Sequence, residues 1–161
     1  EIMSSDWSSD VCSSDLGENI KVNTDLKNFH FSPALAATPG GTFLVAWADR
    51  RDDFRDIYAQ LFASDGTTNG TNFQVSELEL WGECNKPAVS RVGKNNFVIA
   101  WQDWRDGDAN IYGQCCSDFG DLIGENFNIN SGDTEHIEQQ RPAISGDFDG
   151  NFIINWEEKN E

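Results

Sequence analysis

Residues 32–75 read SPALAATPGGTFLVAWADRRDDFRDIYAQLFASDGTTNGTNFQV, and residues 86–129 read KPAVSRVGKNNFVIAWQDWRDGDANIYGQCCSDFGDLIGENFNI; the second stretch restates the first. A third copy begins at residues 141–158, RPAISGDFDGNFIINWEE. Pro33, Pro87 and Pro142 correspond, as do Trp47, Trp101 and Trp156, with steps of 54 and 55 residues in both series. Upstream, GENIKVN at 17–23 matches GENFNIN at 124–130, so it is the tail of an earlier repeat. Self-similarity at such a period outranks any single motif, because each repeat is one supersecondary unit stacked on the next.

Each unit reads as four short strands. A Pro-Ala run such as PAVS at 87–90 opens the first, and a turn rich in residues that tolerate positive φ follows. In the second strand, FVIAW, Phe97, Ile99 and Trp101 share one face while Val98 and Ala100 share the other. Both faces are apolar, so this strand is expected to be covered on both sides. The third strand is IYAQLF or IYGQCC, and a glycine-containing hairpin leads to the fourth, NFQV or NFNI. Four antiparallel strands repeated at this period predict an all-β chain, a fragment of a β-propeller built from four-stranded antiparallel blades. A β-sandwich is the competing fold, but it needs no such periodicity. The expected divisions are residues 17–28 as the last strand of a preceding blade, 29–82 and 83–137 as blades, and 138–161 as the start of another. Propellers need about four to eight blades, so this stretch is expected to leave apolar blade faces open at both ends.

Composition bounds the function. With 38 % hydrophobic and 12 % aromatic residues, the chain is too apolar for a disordered segment. A formal charge of −17 disfavours polyanionic partners, nucleic acid and anionic membrane alike. No run of about 18 apolar residues occurs, so no membrane insertion is expected.

Residues 1–16, EIMSSDWSSDVCSSDL, have a different origin. They lack the basic start, apolar centre and small-residue cleavage site of a secretory signal. Residues 6–16 resemble one reading frame of a common short-read sequencing adaptor, and Glu1–Ile2 resemble the end of its upstream part. The segment is therefore set aside as non-native and expected to be disordered. Without Glu1, Asp6, Asp10 and Asp15 the formal charge moves from −17 to −13. Three cysteines remain, Cys84, Cys115 and Cys116. The last two replace Leu61 and Phe62 and read as small apolar strand residues, too strained as neighbours to pair with each other.

A polar frame follows each second strand: WADRRDDFRDIYAQ at 47–60 and WQDWRDGDANIYGQ at 101–114. The shared residues are Trp47, Asp49, Arg51, Tyr58 and Gln60, matched by Trp101, Asp103, Arg105, Tyr112 and Gln114; Trp156 starts the third set. This frame resembles that of secreted bacterial propeller-like repeat proteins with W-x-D-x-R-x-G-x-x-D-I-Y-x-Q blades. The third repeat departs from it at Glu157–Glu158, and Asp53 stands where the second repeat has Gly107. The resemblance implies a propeller architecture and an extracellular or cell-surface setting more than it implies a reaction.

Because the frame recurs, its first reading is structural: Asp and Arg pair in the loop leaving a buried strand, and Arg stacks on an aromatic ring. A second reading assigns calcium to Asp106, Asp108 and Asn110, whose alternating oxygens suit a hard cation. The first repeat interrupts that set with Phe54, and no other cofactor is expected. A catalytic residue should be a single departure from the repeat. His30 and His136 do not correspond and form no zinc or triad pattern. FASDGTTNG at 62–70 fails the Asp-box pattern of sialidase-type propellers. Trp81 and Trp104, whose counterparts are Lys27 and Arg50, are non-repeating aromatics whose first reading is packing on the neighbouring blade and whose second is stacking on a sugar or a partner side chain. The function expected is a noncatalytic secreted or surface scaffold that binds protein or carbohydrate, its other partners being blades of the same parent chain. The alternative is part of a glycan-active, sialidase-like propeller enzyme whose catalytic residues lie in other blades.

Overall fold

Pairs of adjacent apolar strands linked by short turns dictate sheets, and the computed structural model contains ten strands among its described residues, 19–24, 29–51, 53–77, 82–130 and 137–159. They are β1 (His30–Ala37), β2 (Phe43–Asp49), β3 (Asp56–Phe62), β4 (Thr68–Gln74), β5 (Cys84–Val92), β6 (Asn96–Asp103), β7 (Asn110–Ser117), β8 (Leu122–Asn128), β9 (Glu138–Gly146) and β10 (Phe152–Lys159). The adaptor-like residues 1–16 lie outside the described residues. Two antiparallel four-stranded sheets run β1-β2-β3-β4 and β5-β6-β7-β8, and β9 pairs with β10 in a third. Each sheet is an up-and-down meander, so one edge holds its first strand and the other its last.

The sheets stack face to face, with β1 beside β5 and β5 beside β9. First strands therefore gather on one side of the stack, as the inner strands of propeller blades do. One face of the first sheet, carrying Leu44, Ala46, Ala48, Ile57, Ala59 and Leu61, forms a single core with Phe97, Ile99 and Trp101 of the second. Its opposite face carries Val45, Trp47, Tyr58 and Phe62, which pack on Ile20 and Val22 from the preceding repeat. Every sheet thus has a front face toward the repeat before it and a back face toward the repeat after it. β2 and β6 are buried on both faces, as their doubly apolar pattern requires.

Two features lengthen the strands beyond what hydrophobic runs suggest. The first strand starts before its proline: β5 begins at Cys84, not Pro87. A register shift between Asn85 and Ala88 absorbs the proline, and Lys86 before it takes φ 49°. Ser32 and Arg141 repeat this at φ 51° and 54°. The bulge puts the ring where no ladder N–H is needed, so pairing resumes on both sides. Cys84 is for this reason a buried strand residue. The fourth strand also starts early, at Thr68 and Leu122, because a second bulge at Gln60 and at Gln114 allows pairing to continue toward the hairpin. Gly70 and Gly124 sit there at φ 74° and 73° with open space around a notional Cβ, so backbone conformation, not room, selects glycine.

Candidate functional site

The meander puts four kinds of segment at one end of every sheet: the start of the first strand, the β2–β3 or β6–β7 loop, the end of the fourth strand, and the linker to the next repeat. The recurrent Trp, Asp, Arg and Tyr residues collect there. In the second sheet Trp101 Nε1 donates to Asp103 Oδ2 (2.8 Å), and Arg105 Nη2 donates to the same oxygen (2.7 Å). The Arg105 amide donates to Asp103 Oδ1 (2.9 Å), and the guanidinium stacks 4.1 Å above the Tyr112 ring. The first sheet repeats this with Trp47 to Asp49 (2.9 Å), Arg51 to Asp49 (2.6 Å) and Arg51 over Tyr58 at 3.6 Å. Burial opposes the charge on Arg105, but the hydrogen bond and charge of Asp103 more than offset it and hold its pKa above the ordinary value. Each Asp also faces a residue of its first strand: His30 Nε2 lies 3.4 Å from Asp49 Oδ2, and Cys84 Sγ donates to Asp103 Oδ2 at 3.3 Å.

Gln60 and Gln114 serve the bulges. Gln114 Nε2 donates to the carbonyls of Cys115, Ile123 and Gly124 (2.9, 3.1 and 3.2 Å), and Gln60 treats Leu61, Asn69 and Gly70 likewise. These carbonyls flank the two register shifts. Their own oxygens accept from asparagines that sequence reading passed over. Asn126 Nδ2 donates to Gln114 Oε1 (2.7 Å) and, across the blade boundary, to the Val75 carbonyl (3.0 Å). Its Oδ1 accepts from the Glu77 amide (2.7 Å) and from Arg105 Nη2 (3.2 Å). Asn72 makes the same link to Gln60, the Val22 carbonyl and the Thr24 amide (2.6, 3.4 and 3.0 Å). The signal was present: Asn19, Asn72 and Asn126 recur with the repeat.

The residues considered for calcium are engaged with protein. Asp106 Oδ2 accepts from the Tyr112 hydroxyl (2.7 Å), and Asn110 Oδ1 accepts from Asn130 Nδ2 (2.9 Å). Burial, and then the bond to Asp106, raises the Tyr112 pKa. Asp147 of DFDGN accepts from the amides of Asp149 and Asn151 and from the Asn151 side chain, an Asx turn whose bonds hold its pKa below the ordinary carboxylate value. Among the described residues no three His, Cys, Asp or Glu side chains cluster closely enough to hold a metal ion by themselves. Asp52, His136 and Trp81 lie outside the described residues.

Trp104 and Phe54 line an aromatic concavity at this end. It holds about 320 Å³ and is lined by Phe54, Gly82, Glu83 and Trp104. Phe54 comes from the β2–β3 loop of the first sheet and Trp104 from the β6–β7 loop of the second, so the hollow straddles the blade boundary. The Trp104 amide donates to the Glu83 carbonyl (3.2 Å), and Arg55 pairs with the Glu83 carboxylate, which ties the linker to both loops. Trp156 is half-buried beside Ile154 and Glu158 in the third sheet.

The three described cysteines are free thiols. Burial, and secondarily the charge of Asp103, drives the Cys84 pKa far up; burial, with the neighbouring Cys115, pushes Cys116 up to about 12. Thiolate is the reactive form. Brief alkylation of the folded protein at pH 8, followed by peptide mapping, is therefore expected to leave Cys84 and Cys116 unlabelled until urea unfolds the chain. Rapid native labelling of either residue would contradict this burial.

No family model matches the chain, and no curated protein matches it. Among solved structures, an endo-arabinase from Bacteroides thetaiotaomicron aligns with a TM-score of 0.56 and 17 % identity, over 88 % of this chain and 56 % of the enzyme. The chain thus spans about half the length of that enzyme, and the likeness is one of fold: a β-propeller arrangement of four-stranded antiparallel blades.

Proposed function

We propose that this chain is part of a noncatalytic, extracellular glycan-binding propeller, and that sugar stacks in the hollow between Phe54 and Trp104. The observation that carries this reading is the placement of two large aromatics from adjacent blades around an open hollow with Glu83 at its wall. Aromatic faces suit the C–H faces of sugar rings, and a carboxylate accepts from hydroxyls. Trp104 replaces Arg50 of the first repeat, so it departs from the repeat, as a ligand-binding residue does. A surface setting is supported by the fold likeness to a glycan-active enzyme; among the described residues no helix is long and apolar enough to cross a membrane.

A catalytic reading draws on the same likeness, but the carboxylates at this end argue for structure. Asp49 and Asp103 are fully buried and each accepts from the Trp and the Arg of its own sheet, and Glu83 is paired with Arg55. Affinity electrophoresis through gels containing arabinan or other neutral polysaccharides tests the proposal. Retarded migration with at least one glycan, weakened about tenfold by Trp104→Ala and largely kept by Trp104→Phe, is expected. Unretarded migration in every gel would overturn binding. Release of reducing ends from the retarding glycan would overturn the noncatalytic assignment.

A further inference from the structure

The chain contains a single Asn-Gly step, Asn69–Gly70, and the fold places it where the pairing of β4 with β3 is interrupted. Leu61 pairs with Asn69 and Ala59 with Phe73, so β3 supplies only Gln60 opposite Gly70, Thr71 and Asn72. Gly70 therefore has no register partner, and it holds φ 74° with nothing within 4 Å of a notional Cβ. Asn69, Gly70 and Thr71 are all exposed. This exposure belongs to the blade itself, because this outer strand has a neighbour on either side. Asn72 donates to the Val22 carbonyl of the preceding repeat, and Gly120 of the following one lies against Leu61 and Phe73.

An asparagine side chain can reach the main-chain nitrogen that follows it, and glycine there offers no Cβ to hinder the approach. We propose that Asn69 is a site of covalent modification, losing its amide in the folded protein through a cyclic imide formed with Gly70. The Gly70 nitrogen gives its proton to base and attacks Asn69 Cγ. The bond from Cγ to Nδ2 breaks, and the nitrogen leaves as ammonia. Water is the co-reactant of the second step: it adds to either imide carbonyl and opens the ring to aspartate or isoaspartate, with no change of oxidation state. Both products carry a carboxylate in place of a neutral amide. In the isoaspartyl product the main chain runs through Cγ, and the former Asn69 carbonyl becomes the carboxylate. Gln60 Nε2 holds that carbonyl at 3.2 Å and the Gly70 carbonyl at 3.3 Å, so isoaspartate distorts the bulge that Gln60 spans. The second sheet has the same register shift, a glycine at φ 73° and the same glutamine bridge, but Ile123 stands in place of Asn69 and has no amide to lose.

Incubation of the whole chain at pH 8, in native buffer and in guanidinium chloride, followed by peptide mass mapping with detection of isoaspartate, tests the assignment. The peptide holding Asn69 is expected to gain the mass of an amide-to-acid exchange in both solvents. Its rate in the folded protein should lie within about tenfold of the denatured rate, since a step outside the ladder needs little local opening. Asn69→Ile, which copies the second bulge, is expected to abolish the gain in that peptide. A folded-state rate slower than that range, or no gain at all in native buffer, would show that the fold protects the step and would overturn the proposal. A gain that persists in Asn69→Ile would place the chemistry at Asn72 and overturn it equally.

Discussion

Asp103→Ala is expected to destabilise the protein by about 3 kcal/mol, more than any other single change at the loop end. The carboxylate is fully buried and accepts from Trp101 Nε1, the Arg105 guanidinium, the Arg105 amide and Cys84 Sγ. Alanine leaves each donor without its acceptor and leaves a half-buried guanidinium without its counter-charge. Asp103→Asn is expected to cost less, since an amide oxygen still accepts from the indole while the charge pairing is lost. The double variant Asp103→Ala, Arg105→Met should recover part of the loss, because most of the cost is the stranded cation. Urea unfolding of the wild type, these three variants and the single variant Arg105→Met measures all of this; additive single and double effects would show that Asp103 and Arg105 act independently, contrary to their geometry.

Asn126→Ala carries the second large effect, about 2 kcal/mol, and acts between blades. Its side chain joins Gln114 and Arg105 of its own sheet to the Val75 carbonyl and the Glu77 amide of the sheet before. In stacked repeats the coupling between neighbours decides whether units unfold together. Hydrogen exchange gives a local readout. The Glu77 amide should lose protection in the variant, whereas the Ile111 amide, which donates to Asn130 Oδ1 at 2.8 Å, should keep it. Equal loss at both positions would mean general destabilisation, and no loss at Glu77 would remove Asn126 from the interface.

The stacking of sheets was legible because burial on two faces leaves a pattern along the chain: FLVAW and FVIAW are apolar at every position, and the recurrence of Pro and Trp sets the spacing of the units. The pairing of Trp, Asp and Arg was legible for a similar reason, since the three sit within five residues on a strand end and its loop. The inner strand was harder. Lys86 and Pro87 look like a strand boundary, yet the chain passes through a bulge there, and Cys84 becomes a core residue. The energy that holds Lys86 at positive φ comes from ladder pairs on both sides, which no local propensity records. Asn126 escaped notice because its partners lie 12 and 51 residues away and in different sheets.

Periodicity and alternation were sufficient for the class of fold, the number of strands per unit and the residues facing each core, because they are consequences of local geometry and of which side chains avoid water. They could not say which polar groups meet across a boundary, or that Phe54 and Trp104 from different repeats share a hollow. Those facts follow from how one sheet is rotated and seated on the next. That seating depends on the fit of large front-face side chains into small back-face positions, summed over two sheets at once, and no single stretch of chain contains it.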